Sequence, residues 1–130
     1  MMLELRYVVL WHELPAGSLL EGQARQSHFD LMFQVDEFLL TWECASWPPV
    51  ERGDHPVRSL APHRLAYLDY EGPVSNNRGF VQRVDAGQHA IINRNADSLR
   101  TRVHGEQFVG LLELTSDRLR VLESCDDQRH

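Results

Sequence analysis

Residues 27–35 read SHFDLMFQV. Phe29, Leu31, Phe33 and Val35 recur at every second position, with His28, Asp30, Met32 and Gln34 between them. Such alternation marks a strand with one face in a core. His28 and Asp30 therefore share the other face, roughly 7 Å apart at a rise of about 3.3 Å per residue. An imidazole and a carboxylate so placed can share one metal ion or one proton. A solvent-facing polar strand is the plainer reading of the same pattern.

Upstream, residues 3–12 also alternate, with Tyr7, Val9 and Trp11 on one side, and predict a first strand ending at His12. Residues 14–26 (LPAGSLLEGQARQ) lack periodicity and read as a loop, with at most a short helical turn; a loop of this length in a compact domain is often functional. Downstream, residues 37–45 (EFLLTWECA) predict the partner of a hairpin turning around Asp36 and Glu37. The proline-rich residues 46–62 (SWPPVERGDHPVRSLAP) predict an irregular excursion over the surface or across a barrel end. Residues 63–70 are mixed in character, and 71–79 are turn-rich.

The last third predicts strands over 79–84, 88–93, 98–104, 107–115 and 118–123, separated by short polar turns at 85–87, 94–97, 105–106 and 116–117. That spacing indicates antiparallel β-structure. The expected fold is all-β: a small closed or nearly closed barrel of about seven to nine strands, with a long Pro-rich loop and little helix. A single domain is expected over 1–123, with a flexible tail at 124–130.

A chain of 130 residues with 42% hydrophobic and 25% charged content is of one-domain size and ordinary globular composition. The net charge of −6 argues against a binder that grips nucleic acid through overall charge, though it leaves room for a small basic site on an acidic body. All 13 basic residues are arginine. Arginine forks suit phosphate or carboxylate, and a GC-rich genome gives the same bias. Without lysine, Schiff-base chemistry and covalent nucleotidyl transfer through lysine are excluded. No apolar run is long enough to span a membrane as a helix, and no basic region precedes an apolar block at the start. Cys44 and Cys125, far apart, read as reduced thiols of a cytoplasmic protein.

The residues able to do chemistry are His12, His28, Asp30 and His63, with Tyr67 four positions beyond His63. A β-barrel would gather them at one mouth. Two histidines and an aspartate make an N/O metal site with open positions, suited to Mn, Fe or Zn. Such an ion could polarise a phosphoryl oxygen or activate water.

Four blocks carry a resemblance: YVVLWHE (7–13), SHFDLMFQV (27–35), LLTWECAS (39–46) and APHRLAYLDYEG (61–72). In this order they resemble the 3′-phosphoesterase module of bacterial DNA ligase D. That family shows a histidine after a YVV-type strand, then H-Y-D-[LF]-R-[LF], then K-S-W-A-V-P, then D-H-P-x-x-Y-x-x-F-E-G. The resemblance implies a manganese-dependent β-barrel enzyme that removes 3′-phosphates and 3′-terminal ribonucleotides from DNA ends before end joining. It implies His12, His28 and Asp30 as ligands of a divalent metal, Mn²⁺ first and Zn²⁺ or another ion as alternatives. It implies His63 at the scissile phosphate with Tyr67 beside it, and as partners a nucleic-acid 3′ end or a smaller phosphoester, with ligase and polymerase proteins acting in trans.

The chain departs from the family at several points. Met32 stands where the family has a phosphate-holding arginine, so another arginine (Arg58 foremost, or Arg25, Arg64 or Arg78) would have to serve. Leu40 replaces the lysine of the K-S-W block, and residues 14–27 separate His12 from the H-x-D motif. Met32 favours a second reading, a non-catalytic accessory module of the same fold that binds metal or a nucleic-acid end. A third reading is a facial-triad iron oxygenase, since H-x-D with a distant histidine is also that pattern. Arg100, Arg102 and His104, like Arg118 and Arg120, read as a solvated outer sheet face. Trp11, Trp42 and Trp47 read as core or barrel-plug residues rather than base-stacking platforms, with Trp47 the first exception to consider, and His55, His89 and His130 as surface residues.

Overall fold

A computed structural model describes residues 5–16, 19–20, 23–24, 26–49 and 53–124. Arg25 and residues 125–130 of the tail expected over 124–130 lie outside them, whereas Ser124 ends the last strand. The strands are β1 (Leu5–Glu13), β2 (Leu19–Leu20), β3 (Gln23–Ala24), β4 (His28–Val35), β5 (Phe38–Cys44), β6 (Gly53–Arg64), β7 (Gly72–Pro73), β8 (Phe80–Asn95), β9 (Ser98–Gly105), β10 (Val109–Leu114) and β11 (Arg118–Ser124), with one 3₁₀ turn at Leu65–Leu68. The main sheet runs β1-β4-β5-β6-β11-β10-β9-β8-β7, and β8 also pairs with β1. The order thus returns to its start in a ring-like antiparallel sheet, with β7 appended to β8. The fold is all-β, as the alternation implied. Among the described residues no helix is long and apolar enough to cross a membrane.

The β4–β5 hairpin turns where expected, with Asp36 in the left-handed region at φ 55° and Val35 opposite Phe38. Three other expectations are corrected. Residues 14–26 contain a short ribbon, β2 paired with β3, rather than only a loop. The proline-rich segment is regular over Gly53–Arg64. Proline cannot donate to a ladder and survives in strands chiefly at edges and bulges, and both prolines of β6 occupy such places. Pro56 ends the stretch paired with β11, where β6 hands over to β5. Pro62 falls at the register shift opposite Leu39 and Thr41.

The third correction is that 79–84 and 88–93 are one strand. Asp85 is no turn residue: it lies in the middle of β8, fully buried, accepting hydrogen bonds from the Tyr7 hydroxyl, Trp47 Nε1 at 3.0 Å and the Gln107 amide at 2.9 Å. Gly87 is needed because a Cβ there would meet the carbonyl of His104 on β9. A register shift against β1 between Val9 and Leu10 swaps the faces of β8. Before it Val81 packs on the outer side; after it Asp85 and His89 are buried. His89 is consequently no surface residue: Nε2 donates to the Gln34 carbonyl at 3.0 Å and Nδ1 meets Thr101 Oγ1 at 2.7 Å.

Two apolar clusters use the two faces of the β1–β4–β5 wall. Inside the ring, Tyr7, Val9, Leu31, Phe33 and Trp42 pack with Leu99, Val103, Phe108, Leu112, Leu114 and Leu119 of the opposite wall. Trp47 packs on Phe108, with ring centroids 5.5 Å apart, and so belongs to this core rather than to a stacking platform. On the outer face, Val8, Leu10, Met32, Leu39 and Val81 lie beneath Leu65, Tyr67 and Leu68 of the 3₁₀ turn. Exposed arginines on β9 and β11 pair with acids, Arg100 with Glu113 at 2.7 Å and Arg120 with Asp54 at 3.0 Å.

Candidate metal centre

The parity that sends Leu31 and Phe33 inward turns His28, Asp30 and Met32 outward, so the cluster sits on the outer face of the wall, not at a barrel mouth. Pairing of β1 with β4 sets His12 directly opposite His28 and Leu10 opposite Asp30. The ladder therefore joins the two histidines whatever the chain does between them. The loop is closed at its base by the Leu14 amide donating to Ser27 Oγ at 2.9 Å.

Each histidine has one ring nitrogen fixed by a backbone carbonyl. His12 Nε2 donates to the Arg78 carbonyl at 2.8 Å, and His28 Nδ1 to the Gln26 carbonyl at 2.8 Å. A carbonyl only accepts, so these nitrogens carry the protons, and in the neutral rings His12 Nδ1 and His28 Nε2 keep their lone pairs. Those lone pairs face Asp30: His12 Nδ1 is 3.4 Å from Oδ2 and His28 Nε2 is 3.1 Å from Oδ1. The second contact lies off the hydrogen-bonding axis, and the buried Oδ1 has no aligned donor. Three donor atoms, one from each residue, thus lie within 4.8 Å of one another, and this group could hold a metal ion. The second-nitrogen bonds to carbonyls are the outer-shell arrangement that ligating histidines characteristically have.

Without a cation, charges within the cluster compensate. Burial opposes the charge on His28, but the adjacent Asp30 carboxylate, together with the Gln26 carbonyl and Glu43, outweighs it and raises the pKa. Burial likewise opposes the Asp30 anion, yet His12 and His28 together hold its pKa below the ordinary carboxylate value. A lone carboxylate this deeply buried would be costly; between two imidazoles it stays ionised and ready to ligate.

The turn that brings the Arg78 carbonyl to His12 is built from residues tolerant of positive φ, Asn76 at 63°, Asn77 at 56° and Gly79 at 83°. At Gly79 no side chain fits, because a Cβ would collide with the Glu13 carbonyl at the end of β1. The metal candidates open into a cavity of about 350 Å³ that is also lined by Met32, Arg58, His63, Tyr67 and Arg78. His63 repeats the histidine device, its Nδ1 donating to the Ala61 carbonyl at 2.9 Å, which leaves Nε2 for chemistry. Tyr67, on the 3₁₀ turn, stands edge-on to His63 with centroids 5.6 Å apart.

No family model and no curated protein matches the chain. All six residues singled out from the sequence, His12, His28, Asp30, Arg58, His63 and Tyr67, line this one cavity. Of the other arginines considered, Arg78 lines it with its guanidinium held by Ser75 O at 2.8 Å, whereas Arg64 is not among the lining residues. Arg58 is half exposed and rests on Glu43 at 3.4 Å. Glu43, which no motif in the sequence singles out, also approaches the group: its Oε1 lies 3.8 Å from His28 Nε2. The hairpin signal could have found it, since counting back from the turn pairs Glu43 with Asp30.

Proposed function

We propose that the protein is a metal-dependent phosphoesterase acting on 3′ ends of DNA or RNA, removing a 3′-phosphate or a 3′-terminal ribonucleotide in end repair. What carries this reading is the opening of the His12–His28–Asp30 donor group into the same cavity as His63, Tyr67 and Arg58. The ligase D resemblance nominates the same residues other than Arg58. Two imidazoles and a carboxylate suit Mn²⁺, with Zn²⁺ or another divalent ion compatible with the same donors. When bound, such an ion would neutralise charge building on the phosphoryl oxygens.

The chain's own groups supply the rest. His63 presents Nε2 to the cavity and, protonated, donates to a phosphoryl or leaving oxygen. Tyr67 buttresses that ring. Arg58, tethered to Glu43 only at the rim, can turn its fork toward the phosphate, taking the part that Met32 cannot play. Separate ligase and polymerase proteins would use the resulting 3′-OH in trans, in the cytoplasm.

A second reading is supported by Met32, which lines the cavity and is buried with Val8, Leu10 and Leu39: a non-catalytic module that binds metal or a nucleic-acid end. The test is phosphate release from a 3′-phosphorylated primer–template with Mn²⁺, comparing wild type with His28→Ala, His63→Ala and Arg58→Ala. Release that falls by about 10²-fold or more in the histidine variants, on the scale of a lost acid–base group, supports the phosphoesterase. Mn²⁺ binding that depends on His28 without any release would favour the accessory module. Fe²⁺-specific binding with O₂ consumption would instead indicate the facial-triad oxygenase.

A further inference from the structure

We infer that Glu43 is a fourth protein ligand, making the metal centre a two-histidine, two-carboxylate site; the inference rests on the metal-centre reading but not on the phosphoesterase reading. Glu43 is directly opposite Asp30 across the β4–β5 ladder. Directly paired residues project on the same face with Cβ atoms about 4.5–5.5 Å apart. Its Oε1 lies 3.8 Å from His28 Nε2, on the side of the ring that carries the lone pair. With metal–donor bonds near 2.1 Å, two atoms on one ion can stand up to about 4.2 Å apart, so Oε1 is within reach of an ion held by His28. The donor atoms of His12, His28 and Asp30 lie within 4.8 Å of one another, and Glu43 joins that group by turning its side chain toward Asp30.

Charge points the same way. Two neutral imidazoles and Asp30 leave one positive charge of a divalent ion uncompensated; Glu43 balances it. The side chain is only 21% exposed, so that charge is poorly screened. A second carboxylate also shifts the donor set toward oxygen, which suits Mn²⁺ better than the softer-ligand ions.

The competing explanation is that Glu43 exists to hold Arg58, whose Nη2 is 3.4 Å from the same Oε1 and whose side chain is 52% exposed. The two roles separate experimentally. Mn²⁺ is titrated into the full chain by calorimetry, with bound-water count read from water-proton relaxivity, for wild type, Glu43→Ala, Glu43→Gln, Arg58→Ala and Asp30→Asn. Ligation predicts that Glu43→Ala weakens Mn²⁺ binding about 10- to 100-fold, the size of effect that even an outer-shell partner produces. It also predicts one more water on the bound ion. Arg58→Ala should leave affinity within about fivefold, the worth of an exposed ion pair.

Affinity in Glu43→Ala equal to wild type overturns the inference. So does weakened affinity with an unchanged water count, which would mean that Glu43 acts only through its field. Glu43→Gln, of nearly the same shape, carries the affinity comparison if the alanine variant does not fold. Failure of wild type to bind Mn²⁺ overturns both this inference and the metal centre. Glu43-dependent binding without phosphate release would sustain the ligand and overturn only the phosphoesterase.

Discussion

Replacing Asp30 by asparagine separates what the buried carboxylate does for metal binding from what it does for folding. Asp30 is the one carboxylate of the three-donor group and is nearly inaccessible to solvent. In the metal-free protein its removal has two opposing effects: a buried charge disappears, and His28 loses the anion beside it. These nearly cancel, so metal-free stability should change by no more than about 1–2 kcal/mol, an ordinary point-mutant value. The metal-bound state has no such compensation. A ligand that binds only the folded chain stabilises it by about 2.7 kcal/mol at 100 times its dissociation constant. Unfolding entropy of about 2.1 cal/mol/K per residue over 130 residues converts that to a rise in Tm of about 10 °C. If Asp30→Asn weakens binding about 100-fold, the same Mn²⁺ concentration gives only about 0.4 kcal/mol, or about 1–2 °C. The assay is thermal unfolding followed by circular dichroism, with and without Mn²⁺, in both proteins. An Asp30→Asn protein that keeps the full metal-induced rise would refute the assignment of Asp30 as a ligand, and a wild type with no rise would refute the site.

Three further outcomes concern the scaffold. Burial and the Asp85 charge push the Tyr7 phenol far above its ordinary pKa, so it stays protonated and donates to Asp85; Tyr7→Phe should cost about 1.5–3 kcal/mol, the worth of a hydrogen bond to a charged group, in urea unfolding. Gly105 leaves room for that hydroxyl, so Gly105→Ala should also destabilise, and the two substitutions should combine less than additively because the hydroxyl is one of the atoms a Cβ would strike. Burial lowers the pKa of His89 below its ordinary value, so the unfolded chain takes up a proton there first as pH falls below about 6.5. The stabilising contribution of neutral His89 is therefore complete above that pH and lost on acidification. The stability advantage of wild type over His89→Gln in urea should accordingly narrow between about pH 7 and 5, and an advantage that widens would show His89 to be charged in the fold.

Much of this was legible in the sequence, and the misreadings have definite causes. Short alternating strands with polar turns, such as β9 to β11, announce themselves because each residue's side is fixed by period 2. The long strands β6 and β8 do not. Pro62 and the 85–87 segment look like punctuation, and only the pairing partners reveal that one falls in a bulge and the other continues a paired strand. Missing the continuity of β8 also hid His89, since its side depends on counting through the register shift. The site fared better. His28 and Asp30 are two apart on one strand, and His12 ends the neighbouring one, so local pattern reached all three. Glu43 required a register, which no single strand contains.

The ladder that sets His12 opposite His28 has a consequence for how this chain can change. Between them the backbone leaves the sheet after Glu13 and re-enters at His28, with its ends clipped by Leu14 and Ser27. Loop closure grows costly only slowly with length, about 0.6 kcal/mol for each doubling. Segments of very different size could therefore be spliced in beside the donor group without moving it. Variation in that stretch is decoupled from the chemistry, and the stretch is a natural place for lineages, or an engineer, to graft new recognition onto an unaltered centre.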